Sequence, residues 1–286
     1  MQFGLTHIAI FLLSLLSFSA LASVDTDDSR VFIPFEVING MIIIKAEIDN
    51  EVGNYIFDTG AEELILNKKV DSSSTMFSSI NGDIATEEVR INLLRIGKLT
   101  HNTLKAYTAD LASMESYLNI SLQGVIGCNL FLPRKIKIDF DSNEIILSST
   151  NDLTIGRKDY VKFEMQDGVP VCPVSIGDVE YLFGFDTGAT IHVIDENVLS
   201  KFNEHASDTG LDTYVSTGTG TKTINKIISL DRMKIGNVKV EDGQFLLQDL
   251  NVFNESMNEP IAGVLSLTAL ECSNIVIDLE KMRIYF

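Results

Sequence analysis

The pentapeptide Phe-Asp-Thr-Gly-Ala occurs twice in this chain, at residues 57–61 and at residues 185–189. One Asp-Thr-Gly is a weak signal, because three common turn residues meet often by chance. Here the flanks repeat as well. Phe35-Glu36 precedes the first copy as Phe163-Glu164 precedes the second. Downstream, Ile96-Gly97 matches Ile235-Gly236, Asp110-Leu111 matches Asp249-Leu250, and Gly124-Val125-Ile126 matches Gly263-Val264-Leu265. Ile138-Asp139 matches Ile277-Asp278, and Ile145 matches Ile284. These downstream pairs all lie 139 residues apart, from 96 to 235 and from 145 to 284, whereas Asp58 and Asp186 lie 128 apart. The second half therefore holds 11 extra residues between Ala189 and Ile235. The unit is too long for a solenoid repeat and only two copies exist. A chain so patterned is expected to fold as two like lobes that can set one copy of the motif against the other.

Both lobes read as β-rich. Met41-Ile42-Ile43-Ile44 and Val169-Pro170-Val171-Cys172 open extended runs, and Asp49-Asn50 and Ile176-Gly177-Asp178 supply hairpin turns. Tyr55-Ile56-Phe57 and Leu182-Phe183 then lead into the aspartates. Helices should be few and short, over residues 196–202 capped by Asp195 and around residues 114–118. The expected class is all-β, two barrel-like lobes related by a pseudo-twofold axis. The expected divisions are a signal peptide at 1–22, a first lobe at 23–150 and a second at 151–286, joined at the polar stretch Ser149-Thr150-Asn151-Asp152.

Composition sets limits on partners. The chain has 286 residues, 45% of them hydrophobic, which is enough for one large or two modest cores. Its net charge of −18 disfavours nucleic acid and anionic lipid. Residues 8–16 are an uncharged apolar run followed by the small-residue site Ala20-Leu21-Ala22, as in a secretory signal. The run is shorter than the roughly 18 apolar residues a membrane span needs. The expectation is an exported, periplasmic or secreted protein without a stable span. Of the cysteines Cys128, Cys172 and Cys272, at least one must be unpaired; a Cys128–Cys272 bridge stays open.

The chemistry lies in the repeated motif. Two carboxylates set close together cannot both ionise easily, so Asp58 and Asp186 would share a proton. One, ionised, can act as general base on a water, while the other, protonated, hydrogen-bonds a carbonyl oxygen. Thr59 and Thr187 can hydrogen-bond between the two loops. Gly60 and Gly188 permit a tight turn that brings a backbone N–H to each carboxylate. Ala61 and Ala189 fit a crowded site, and Phe57 and Phe185 point into the core by the strand's period of two.

On these residues the chain resembles the retropepsin-like and pepsin-like aspartyl proteases, in the fused two-lobe form of bacterial exported proteins. The resemblance covers essentially all of the mature chain. It includes the apolar-apolar-Gly element Val125-Ile126-Gly127, which in the family packs under the catalytic loop, and the Asp-Leu steps at 110–111 and 249–250. It implies acid-protease lobes, an aspartic endopeptidase acting on peptide or protein substrates, a single chain sufficient as a monomer, and neither cofactor nor metal. It also implies flaps, which would fall on residues 79–83 and 216–220 and include Gly82 and Gly218. Glu62 after the first motif, and Thr190 after the second, would stand where substrate backbone is held. A solvated turn carboxylate is the plainer reading of Glu62.

Two positions depart from the family pattern. Ser266 stands where the second lobe's Gly is expected, and Glu62-Glu63 follows the first motif. They motivate the alternative of a catalytically silent peptide-binding module on the same fold. His101, His192 and His205 sit in no nucleophile or metal pattern and read as surface or supporting residues, and Cys128 as a small buried one. The alanines stand where many pepsin-like enzymes carry Ser or Thr, whose hydroxyl stabilises the ionised pair. Without it the pair should hold its proton to higher pH, giving an optimum mildly acidic to near neutral.

Overall fold

A computed structural model describes residues 7–8, 30–70, 75–77, 84–202, 204–216, 222–240, 243–255, 257–266 and 274–286. In the first lobe six strands close on themselves. Met41–Ile48 pairs with Glu51–Asp58, then follow Gly124–Gly127, Leu64–Asn67, Leu99–Ala109 and Ile84–Ile96, and the last returns to Met41–Ile48 through Glu47–Arg95 and Ile48–Leu94. Closure removes a free edge from the sheet. Asn39-Gly40 and Asp49-Asn50 turn the hairpins, all four with positive φ, the conformation a two-residue hairpin loop requires. Asp49 does more than turn the chain. Its Oδ1 accepts the N–H groups of Asn92 and Leu93 at 3.0 and 2.9 Å, tying the hairpin to the returning strand.

The second lobe repeats these connections. Val169–Ile176 pairs with Val179–Asp186, followed by Gly263–Ser266, His192–Asp195, Gly243–Gln248 and Lys222–Leu230. The return to Val169–Ile176 is made by Met233–Ile235. The single strand Ile84–Ile96 of the first lobe is thus split in two in the second, where Arg232 takes positive φ at the break. The extra 11 residues can also be placed. From Asn67 to Phe77, which pairs with Ile84, is 10 residues; from Asp195 to Val215, which pairs with Thr223, the match of Ile84, it is 20. Ten of the 11 extra residues therefore lie in the first arm of the hairpin. This arm forms the 3-10 helix Glu196–Phe202 and the long strand Ala206–Ser216.

A six-strand antiparallel sheet joins the lobes, in the order Tyr160–Lys162, Arg283–Tyr285, Asn274–Asp278, Lys135–Asp139, Glu144–Ser148, Arg30–Ile38. At its centre Ile136 pairs with Ile277, Lys137 with Val276 and Ile138 with Ile275. A shift of 139 residues turns the first of these pairs into the third, so a local twofold axis passes between Lys137 and Val276. One apolar core runs through both lobes beneath this sheet, from Val31 and Phe57 to Phe185 and Ile284. Lys135 and Asp278, both buried, face each other across the junction at 3.8 Å.

The expected short helices are present, as Ala112–Leu118 and as Glu196–Phe202, the latter 3-10 rather than α. Asp195 accepts the N–H of Asn197 at 3.1 Å, the capping expected of it. Of residues 1–22 only His7–Ile8 are described, as a two-residue parallel strand against Tyr214–Val215; the rest of the proposed signal lies outside the described residues. Among the described residues no helix is long and apolar enough to cross a membrane. Cys128 and Cys172 are free, buried thiols, and Cys272 lies outside the described residues.

Candidate active site

Each aspartate ends a central strand that is covered on one side by a parallel neighbour. Asp58 stands beside Gly127 and Asp186 beside Ser266, the last residue of the crossing strand in each lobe. Both aspartate strands are buried over their final four residues, which carries each carboxylate into the interior at the point where the chain turns. Phe57 and Phe185 fill the lobe cores directly behind, Phe57 against the ring of Phe131 at 5.5 Å.

The two turns are locked to each other by their threonines. The N–H of Thr59 donates to Thr187 Oγ1 at 2.8 Å, and the N–H of Thr187 donates to Thr59 Oγ1 at 3.0 Å. Each hydroxyl in turn donates to the other lobe, Thr59 Oγ1 to the carbonyl of Phe185 at 3.3 Å and Thr187 Oγ1 to that of Phe57 at 2.9 Å. Four buried hydrogen bonds thus fix the separation and orientation of the loops, with every donor and acceptor supplied reciprocally.

Within this frame the carboxyls meet. Gly60 N–H donates to Asp58 Oδ1 at 2.7 Å and Gly188 N–H to Asp186 Oδ1 at 2.6 Å. Each also draws on the other loop's glycine N–H, and a hydrogen bond links the two side chains. Asp58 Oδ2 and Asp186 Oδ2 are buried with no hydrogen-bond partner among the described residues. Gly188 is required by space. A Cβ on Gly188 would stand 2.6 Å from Asp58 Oδ2. Both aspartates are wholly buried.

Burial holds both carboxyls above their usual range. Asp186 lies well above it, because the charge of Asp58 adds to the burial. Asp58 is eased by the hydrogen bond from Asp186 and by the N–H groups of Gly60, Ala61 and Gly188. The pair accordingly holds one proton between its two carboxyls.

The remaining sequence candidates fall around this centre. Ala61 and Ala189 are completely buried beside the aspartate turns. Glu62 packs on the hairpin turn of the other lobe, where a Cβ on Gly168 would stand 2.4 Å from its Cγ. Thr190 makes the equivalent contact in the opposite sense, 3.3 Å from a Cβ on Gly40, and hydrogen-bonds Tyr117. Gly82 and Gly218 lie outside the described residues. Glu62 and Thr190 thus extend the interlock between lobes.

Sequence reading placed Gly127 under its loop but not the hydrogen bonds made there, nor His192. In the first lobe Gly127 N–H donates to Glu63 O and Cys128 N–H to Ala61 O, both at 3.0 Å. Cys128 Sγ lies 3.7 Å from Thr59 O, and burial pushes this thiol up to about 12. In the second lobe side chains take part. Ser266 Oγ donates to Ala189 O at 2.6 Å, and Ser266 N–H donates to His192 Nδ1 at 3.1 Å. The one signal that pointed there was the missing glycine at 266.

Comparison with known proteins places this geometry. Residues 172–269 match the family model described as aspartyl protease. No curated protein sequence matches the chain. Among solved structures, it is similar to basic 7S globulin from soybean, at TM-score 0.50 and 12% identity, covering 90% of this chain and 94% of that one. It is similar also to conglutin gamma, a basic 7S globulin from lupine seeds, at TM-score 0.52 and 12% identity with the same coverage. The chain therefore has the fold of these globulins over nearly its whole length, and its second lobe carries the sequence pattern of the aspartyl protease family.

Proposed function

We propose that the protein is an exported aspartic endopeptidase, acting as a monomer whose two lobes arose by internal duplication and each supply one aspartate. The single observation that carries this reading is the buried Asp58–Asp186 pair, held by reciprocal threonine and glycine hydrogen bonds. A pair so buried holds one proton rather than none, which is the state the chemistry needs. Asp58, ionised, takes a proton from a water as its oxygen attacks the scissile carbonyl carbon. Asp186 gives its proton to the carbonyl oxygen, so a neutral tetrahedral diol forms. Transfer of a proton to the amide nitrogen then lets the C–N bond break, and the pair returns to one shared proton. The substrate is an extended peptide or protein segment.

A second reading is a peptide-binding module on the same fold without turnover. It is motivated by Ser266, whose side chain occupies the place of a glycine under the Asp186 loop. Incubation with a random peptide library, with Asp186→Asn as control, separates the two. Cleavage by the wild type alone supports the endopeptidase. Retention of peptides without cleavage would favour the binding module.

A further inference from the structure

We propose that His192 and Ser266 together are positioning residues for Asp186, a side-chain clamp at the place where the first lobe is held by the main chain of Gly127. The proposal rests on the endopeptidase reading and adds the residues that set the geometry of its acid.

The first lobe leaves no space for a side chain under its aspartate loop. A Cβ on Gly127 would stand 2.4 Å from the carbonyl carbon of Glu62 and 2.6 Å from Ala61 O. Both are backbone atoms and cannot swing aside. Glycine there lets the loop lie directly on the strand, so that Gly127 N–H reaches Glu63 O. Ser266 is in the same register against Asp186 as Gly127 is against Asp58. It has a Cβ, so the loop after Ala189 must stand further off, and its N–H needs another acceptor. His192 supplies it. Its Nδ1 takes the Ser266 N–H, while the serine hydroxyl spans the added distance to Ala189 O. Ser266 thus grips the loop at three points: Asp186 by strand pairing, Ala189 by its hydroxyl and His192 by its N–H.

His192 is built for that one role. It is buried and stacked on Phe245 with ring centroids 4.9 Å apart. Burial alone lowers it to about 4, so the ring is neutral above that range, and an Nδ1 that accepts leaves the proton on Nε2. The strands flanking it, Gly243–Gln248 and Gly263–Ser266, carry no charged residue. Its own strand ends in Asp195, the helix that follows holds Glu196 and Lys201, and the loop it anchors carries Asp186. Protonation of Nδ1 would set two donors against each other and release the loop.

The test uses the full chain and four variants: His192→Leu, Ser266→Gly, the double variant, and His192→Asn. Leucine is the residue the first lobe carries at the matching position, Leu64, so the double variant recreates the first lobe's arrangement. His192→Asn keeps an acceptor in reach of the Ser266 N–H without a titrating ring. Peptide cleavage should show kcat reduced about tenfold or more in His192→Leu with KM changed less than twofold, as for a small misplacement of a reacting group. The double variant and His192→Asn should each recover at least half of the loss on a logarithmic scale. His192→Asn should also keep its activity to lower pH than the wild type. An unchanged kcat in His192→Leu, or a double variant no better than the single, would overturn the proposal. A readout independent of turnover keeps it apart from the endopeptidase reading. Nitrogen-15 spectra of the His192 ring should show the Nε2–H tautomer from neutral pH down to about pH 5. A ring that titrates near 6.5 as a free imidazole would overturn the clamp, whether or not peptides are cut.

Discussion

Asp58 and Asp186 are costly residues to bury, and the cost has a definite sign. A carboxyl raised by burial contributes stability below its unfolded value and loses it as pH climbs through its folded one. At neutral pH the pair therefore weighs against folding. Asp186→Asn removes the more strongly raised member while keeping its shape. Its melting temperature should exceed the wild type's by a few degrees at pH 7, with the gap closing as pH falls toward the carboxylate range. Thermal melts at several pH values, read by circular dichroism, decide this; a variant less stable at pH 7 would contradict the assignment. A neighbouring residue shows the opposite economy. Gly127→Ala sets a methyl 2.4 Å from the Glu62 backbone, and should destabilise by about 1–3 kcal/mol in denaturant titration. The same experiment on Ser266→Ala should cost about 0.5–1.5 kcal/mol for a different reason, since the buried hydrogen bond from its hydroxyl to Ala189 O is lost.

At the scale of elements, the aspartate loops are rigid because they are held from the other lobe. Thr187→Val keeps volume but removes the acceptor of Thr59 N–H and the donor to Phe57 O. We expect a stability loss of about 2–5 kcal/mol for two stranded polar groups, together with a fall in kcat of about tenfold or more. Thr187→Ser should restore both; failure of serine to restore kcat would show that the hydroxyl is not what matters. Much at this scale was legible in the sequence. Asp49-Asn50 announces its hairpin and takes the positive φ a tight turn needs, and the Phe-Asp-Thr-Gly-Ala copies announce the two loops. What stayed hidden depended on contacts across sequence. Glu62 looks like a free turn carboxylate until Gly168 of the other lobe is seen beneath it. His192 carries no motif, because its acceptor role exists only where Ser266 displaces a loop.

For the whole molecule, the joining sheet makes the two lobes one body, and its register around Lys137 and Val276 follows the 139-residue offset read from the sequence. The sheet also buries a charge pair that no spacing revealed. Lys135 lies 3.8 Å from Asp278, whose Oδ2 has no hydrogen-bond partner among the described residues. Lys135→Met would take away its buried cation and leave only the exposed Lys281 at 4.0 Å, at a cost of about 2–4 kcal/mol. Because the core runs through both lobes, the loss should appear in one cooperative transition. Two separated transitions would show that the lobes unfold independently.

The central claim is that one proton shared between two buried carboxyls performs the chemistry, and kcat/KM for peptide cleavage across pH tests it most directly. The wild type should give a bell-shaped profile with a mildly acidic to near-neutral optimum. Asp58→Asn and Asp186→Asn should each lower the maximum by about a hundredfold or more with the fold intact. Turnover that survives either substitution, or a profile without an acidic limb, would contradict the account.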